Sequence, residues 1–257
     1  MKIFKITLLS VCSVCAGVFS GCQALPFTQE ERPANISLAV LESKMHKAMD
    51  PEGLYRESKS YVQKQMLMVE KDWEDEKSYI VEVKYKRPDK LKMTTMEDNH
   101  PTTSIIFNGK NAWIVYYKDK KRVMIEGEQL EKMKVLFALG RPDNTYQDIF
   151  KEVKLFETEL DGRPYYKLIC RSKFKGQPPF VVYVGMNNFL TKRIEIPPQV
   201  TSVIDRYGIH DGVIIPEQTT EIVGDSKKRY EIIMYKLNVK IDDEQFFPPI
   251  FKETEEE

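Results

Sequence analysis

Cys22 is the residue in this 257-residue chain best placed to do chemistry. It follows Phe19-Ser20-Gly21, and small residues ahead of a cysteine let a signal peptidase approach the backbone. The thiol then supplies the nucleophile for a thioether-linked lipid. Lys2 and Lys5 give the chain a positive start, and Ile6 to Val18 forms a short apolar core. About 20 apolar residues are needed to span roughly 30 Å of hydrocarbon, so that core reads as an export signal and not as a membrane span. Cys12 and Cys15 lie inside it, leaving Cys22 as the lipidation candidate.

Other reactive types are scattered. Cys170 alternates with Tyr166, Leu168 and Ser172, the pattern of a small apolar group buried on a strand. His46, His100 and His210 fall in three separate segments with no neighbouring ligand at metal spacing. Asp242-Asp243-Glu244 lacks the alternating oxygen ligands and glycine turn of a calcium loop. No G-x-S-x-G, H-E-x-x-H, phosphate-loop or dinucleotide motif occurs. The sequence therefore points to a binding protein and not an enzyme, with no catalytic residue, cofactor or metal expected.

Cleavage before Cys22 removes two lysines, so 39 basic residues become 37 against 39 acidic, a net charge near −2. That balance does not favour a nucleic-acid partner. With Cys22 acylated, Cys170 has no partner for an intramolecular disulfide, and the folded body must rely on its core.

The positioning elements follow from periodicity. Residues 1–21 are expected to be the signal, 22–35 a lipidated tether, 36–251 one folded domain, and 252–257 an acidic tail. From Ser37, Leu38, Leu41, Met45, Ala48 and Met49 recur at helical spacing up to Asp50-Pro51. From about residue 58 to 125 the period becomes two, with Asn108-Gly109 a hairpin signal and Lys118 to Arg122 a basic, solvated hairpin tip. Leu130, Met133 and Phe137 predict a second helix over 128–139, and Thr145 to Val153 a third, short one. Strands then resume through Asp161-Gly162 to a last strand carrying Ile233, Tyr235, Leu237, Val239 and Ile241 on one face. The expected class is mainly β (α+β): a single curled antiparallel sheet, an unclosed barrel with helices on its concave face.

Such a sheet offers an apolar groove, and methionines and aromatics suit it to acyl chains. Val83, Leu91 and Met93 are the first candidates to line it. On the strand after Asn108-Gly109 both faces are apolar; Trp113, Val115 and Tyr117 are expected inward, because a half-buried sheet places its bulkiest residue against the helices. Trp73, in the polar DWEDEK stretch, is expected outside.

The order of KRPDKLKM, IIFNGKNAWIVYY, KRVMIEGEQL, ELDGRPYYKLIC, VYVGMNNFLTKRIEI, DGVIIPEQTTEI and YKLNVKIDDEQFFPP resembles the LolA/LolB-like superfamily of outer-membrane lipoprotein-sorting proteins. The resemblance implies an unclosed barrel with a helical lid over a cavity for lipid or lipoprotein acyl chains. The superfamily's carrier is soluble and its receptor is lipid-anchored, so Cys22 makes this chain receptor-like, held in the cell envelope facing the periplasm. Gln23 in place of Asp implies the outer membrane. A related branch senses envelope stress through a protein partner, which implies an alternative role as a sensor or scaffold lipoprotein.

Overall fold

Three aspartate-led turns organise much of the sheet. Asp98-Asn99, Asp161-Gly162 and Asp211-Gly212 each place two consecutive residues at positive φ, the backbone twist that joins adjacent antiparallel strands tightly. The computed structural model describes residues 31–70, 77–139, 141, 144–174, 177–196 and 200–251. The signal over 1–21, Cys22, Gln23, Trp73 and the acidic tail lie outside them.

The strands are β1 (Arg32–Pro33), β2 (Ser60–Glu70), β3 (Lys77–Lys86), β4 (Lys90–Glu97), β5 (His100–Asn108), β6 (Ala112–Tyr116) and β7 (Lys121–Ile125). They continue as β8 (Glu152–Leu160), β9 (Arg163–Arg171), β10 (Phe180–Gly185), β11 (Thr191–Ile196), β12 (Val200–His210), β13 (Val213–Val223) and β14 (Ser226–Leu237). All pair antiparallel in one 14-stranded sheet of order β1-β8-β9-β10-β11-β12-β13-β14-β2-β3-β4-β5-β6-β7. The sheet curls without closing, as the alternation predicts. Lys121 and Arg122 on edge strand β7 are exposed, charges that discourage a further strand from adding there.

Among the described residues, four α-helices accompany the sheet: α1 (Leu38–Met49), α2 (Leu54–Glu57), α3 (Gly127–Leu139) and α4 (Tyr146–Ile149). Ser37 caps α1 by accepting from the Val40 N–H, as its position before the apolar stripe implies. Helix α4 is shorter than the 145–153 expectation. Thr145 and Asp148 form a reciprocal capping box around one turn, and Glu152 already pairs with Arg171 in the sheet.

Register shows that α1 and α3 cover the same face. Leu41 and Met45 of α1 pack on Leu168, Cys170, Val182 and Val200. Met133 and Phe137 of α3 pack on a second cluster with Val83, Leu91, Met93, Ile105 and Phe107. The pairs Val182↔Leu168, Thr219↔Tyr230, Gln63↔Val83 and Val83↔Met93 carry this face across the sheet.

The end of the chain departs from the expected pattern. Register slips between Ile232 and Met234, so Ile232 and Tyr235 face inward while Met234 faces outward. Strand β14 stops at Leu237. Asn238, at φ 53, turns the chain, and its side-chain carbonyl accepts from the Lys59 N–H. Val239 and Ile241 therefore join a cluster on the outer face and do not continue the inner row of Tyr235 and Leu237. Residues 239–251 run as a strap over β2 to β6, burying Phe246 completely beside Val62, Ile106 and Val115.

Candidate functional site

Buried polar positions interrupt the apolar inner face, and Gln63 and Gln65 sit within the second cluster, between Val83 and Val81 on one side and Tyr235 and Ile232 on the other. Gln63 and Gln65 on β2, Ser202 on β12, and Thr219 and Glu221 on β13 are all buried. Lys228 Nζ lies 3.6 Å from Glu221 Oε1, beside which β14 pairs. Over part of this band lies a cleft of about 170 Å³. Gln63, Gln65, Glu217, Thr219 and Tyr230 give it hydrogen-bonding groups, and Ile215, Ile232, Tyr61 and Tyr235 give it apolar walls. Met49, at the end of α1, and Tyr55, in the first turn of α2, also line it.

The corner between those helices is fixed locally. Gly53 takes φ 78 at the start of α2, and the Asp50 carboxylate accepts from the Arg56 N–H. Tyr61 forms the hinge of an aromatic stack, with ring centroids 5.1 Å from Tyr85, 5.4 Å from Tyr235 and 5.9 Å from Tyr55. Burial pushes the hydroxyls of Tyr55, Tyr61 and Tyr235 above the usual phenol range, so they remain neutral at physiological pH. At the opposite wall, Glu217 Oε2 lies 2.7 Å from Arg206 Nε, and Oε1 lies 3.3 Å from His210 Nε2. A Cβ on Gly208 would stand 2.8 Å from the Glu217 carboxyl carbon, so glycine makes the room this carboxylate occupies.

The six sequence candidates are not brought together. Val83, Leu91 and Met93 face inward, but they are filled core at 0%, 5% and 1% exposure and do not line the cleft. Trp113, Val115 and Tyr117 sit on the outer face under the strap, not inward against the helices. Trp113 meets Phe247 at 6.4 Å, and Tyr117 meets Phe251 edge-on at 6.3 Å. Ala112 and Ile114 are the residues of that strand that pack with the inner cluster. The strap supplies the outer face with its own apolar cover, which alternation along β6 does not reveal.

Of the histidines, His46 lies on α1, His100 opens β5, and His210 closes β12 beside Glu217. Cys170 is fully buried, and burial pushes its thiol up to about 12, in keeping with its reading as a small apolar group. The sequence reading missed Gln63 and Gln65. Their signal is parity: in SYVQKQML they share a face with Tyr61 and Leu67, placing two amides where apolar residues are expected.

No protein-family model and no curated protein matches the chain. Solved structures do. A DUF1329 family protein from Desulfovibrio piger ATCC 29098 superposes with a TM-score of 0.58 at 13% identity, covering 82% of this chain and 95% of that one. The LolA superfamily protein NE2245 from Nitrosomonas europaea gives 0.59 at 14% identity, covering 83% and 98%. An outer-membrane lipoprotein-sorting protein domain, described as putative, from Vibrio parahaemolyticus gives 0.54 at 13%, covering 82% and 97%. The likeness is one of fold, and the fold is LolA-like.

Proposed function

We propose that this LolA-like chain is a lipid-anchored envelope protein that binds the acyl part of a lipid or lipoprotein on its concave face, serving lipoprotein sorting at the outer membrane. The observation carrying this reading is the cleft on the helix-covered face, whose walls Tyr61, Ile215, Ile232 and Tyr235 belong to the apolar cluster under α3 and which Met49 and Tyr55 also line. A covered apolar face with a polar centre suits an amphiphile, and nothing in this arrangement requires bond-making at the cleft. Cys22 holds the protein to the membrane through its lipid, and the expected tether shortens to the residues ahead of β1, because Arg32 and Pro33 already pair with β8.

Two measurements test the reading. Mass spectrometry of the purified protein should find a mature start at Cys22 carrying acyl mass, and Cys22→Ser should accumulate as unacylated precursor. A mature start elsewhere without acyl mass would remove the anchor. Separately, the protein should bind a hydrophobic dye saturably, and Met49→Glu in the cleft's half-buried lining should weaken that binding while leaving the far-UV spectrum unchanged. Binding that ignores Met49→Glu rejects the cleft as the site.

A second reading has its own observation. Much of the inner face is filled, and about 170 Å³ falls below the roughly 300–1,000 Å³ usual for ligand pockets. A sensor or scaffold lipoprotein would need no larger cavity. It would capture a protein partner through its exposed surface and carry no lipid.

A further inference from the structure

Gln65 is 2% exposed, and its side chain lines the cleft. Its Oε1 accepts from Gln63 Nε2 at 2.9 Å. With the two amides in this orientation, Gln65 Nε2 is a buried donor with no hydrogen-bond partner. A buried N–H without an acceptor is unfavourable, so such a group is well matched to an acceptor that arrives with a ligand. The strand pairing fixes what surrounds it. Gln65 sits between Val81 on β3 and Ile232 on β14, and Ile232, Ile215, Tyr61 and Tyr235 line the same cleft. A buried amide donor flanked by Val81 and Ile232, in a cleft that also carries apolar walls, matches an acceptor oxygen joined directly to a hydrocarbon chain.

We infer that Gln65 Nε2 receives the carbonyl oxygen of an acyl group, so that the cleft prefers acyl esters or amides to plain hydrocarbon. This rests on the acyl-binding reading above and names the atom that selects. An ester carbonyl belongs to a glycerolipid and an amide carbonyl to an N-acylated chain; both present the same acceptor.

The test is displacement of a bound hydrophobic dye from the full chain by heptane, methyl hexanoate and N-methylhexanamide. Both carbonyl probes, or one of them if the cleft distinguishes the two sources, should compete about tenfold better than heptane. Gln65→Leu should bring the carbonyl probes to parity with heptane while heptane binding persists. Infrared spectra of ¹³C-carbonyl methyl hexanoate provide a readout that does not depend on the variant folding, since a donated hydrogen bond lowers the carbonyl stretch. Equal competition by all three probes in the native chain, a preference surviving in Gln65→Leu, or an unmoved stretch in bound ester overturns the role of Gln65 while leaving acyl binding intact. Failure of every probe, heptane included, overturns the acyl-binding reading with it.

Discussion

Cys170 and Phe246 show how completely single side chains can be committed to the interior. With its thiol pushed up to about 12, Cys170 is neutral at pH 8, and its zero exposure keeps reagents away. Alkylation at pH 8 should therefore proceed at least about 100-fold more slowly in the folded protein than in denaturant, followed by mass shift. Rapid native labelling would place the thiol at a surface. Phe246 anchors the strap, and Phe246→Ala should lower stability by about 3–5 kcal/mol, read from denaturant midpoints. Ile250, 86% exposed on the same strap, provides the contrast: Ile250→Ala should stay within about 0.5 kcal/mol.

At the scale of elements, the strap is held electrostatically as well as by Phe246. Asp243 Oδ1 lies 2.6 Å from Lys86 Nζ and Oδ2 lies 2.8 Å from Lys90 Nζ, while Lys84 Nζ donates to Gln245 and Lys86 Nζ to the Ile241 carbonyl. Hydrogen bonds from Lys86 and Lys90 hold the Asp243 carboxyl at about 2, below its ordinary 3.8. A depressed carboxylate stabilises the folded state above its unfolded value and loses that contribution as pH falls through the folded one. Asp243→Asn should thus be less stable than the native chain above about pH 4, and the gap should close near pH 2. Trp113, beneath Phe247, should report the loosening by fluorescence. A gap independent of pH would show that the lysines do not act through this carboxylate. This strap is also where reading the sequence fell short. Leu38, Leu41 and Met45 announced α1 because a helical stripe needs only local spacing. Trp113 could not announce its face, because the residues that cover it, Phe246, Phe247 and Phe251, lie more than a hundred positions away. Val239 and Ile241 seemed continuous with Tyr235 because parity along a strand cannot register one slipped residue at Ile233 or a turn at Asn238.

For the whole molecule, the decisive quantity is the mismatch between a long acyl chain and the space open on the inner face. A 16-carbon chain far exceeds a cleft of about 170 Å³, and the flanking clusters are filled by Val83, Met93, Leu168 and their neighbours. A long chain can therefore seat in this cleft only by displacing something, and the covering helices are the weakest holders. Helix α1 has 12 residues, too few to be stable alone, and docks mainly through Leu41 and Met45; α3 docks through Met133 and Phe137. The sheet beneath is tied by continuous ladders and has no such freedom. Hydrogen exchange should then separate ligands by length. Methyl hexanoate should slow exchange around Met49 to Tyr61 and leave α3 unchanged. Methyl palmitate should bind with faster exchange in α1 or α3 and unchanged exchange in β3 and β4. Tight binding of the long ester with no change in either helix would mean that the chain lies outside the concave face, and the helices would then be fixed parts of the core rather than a lid.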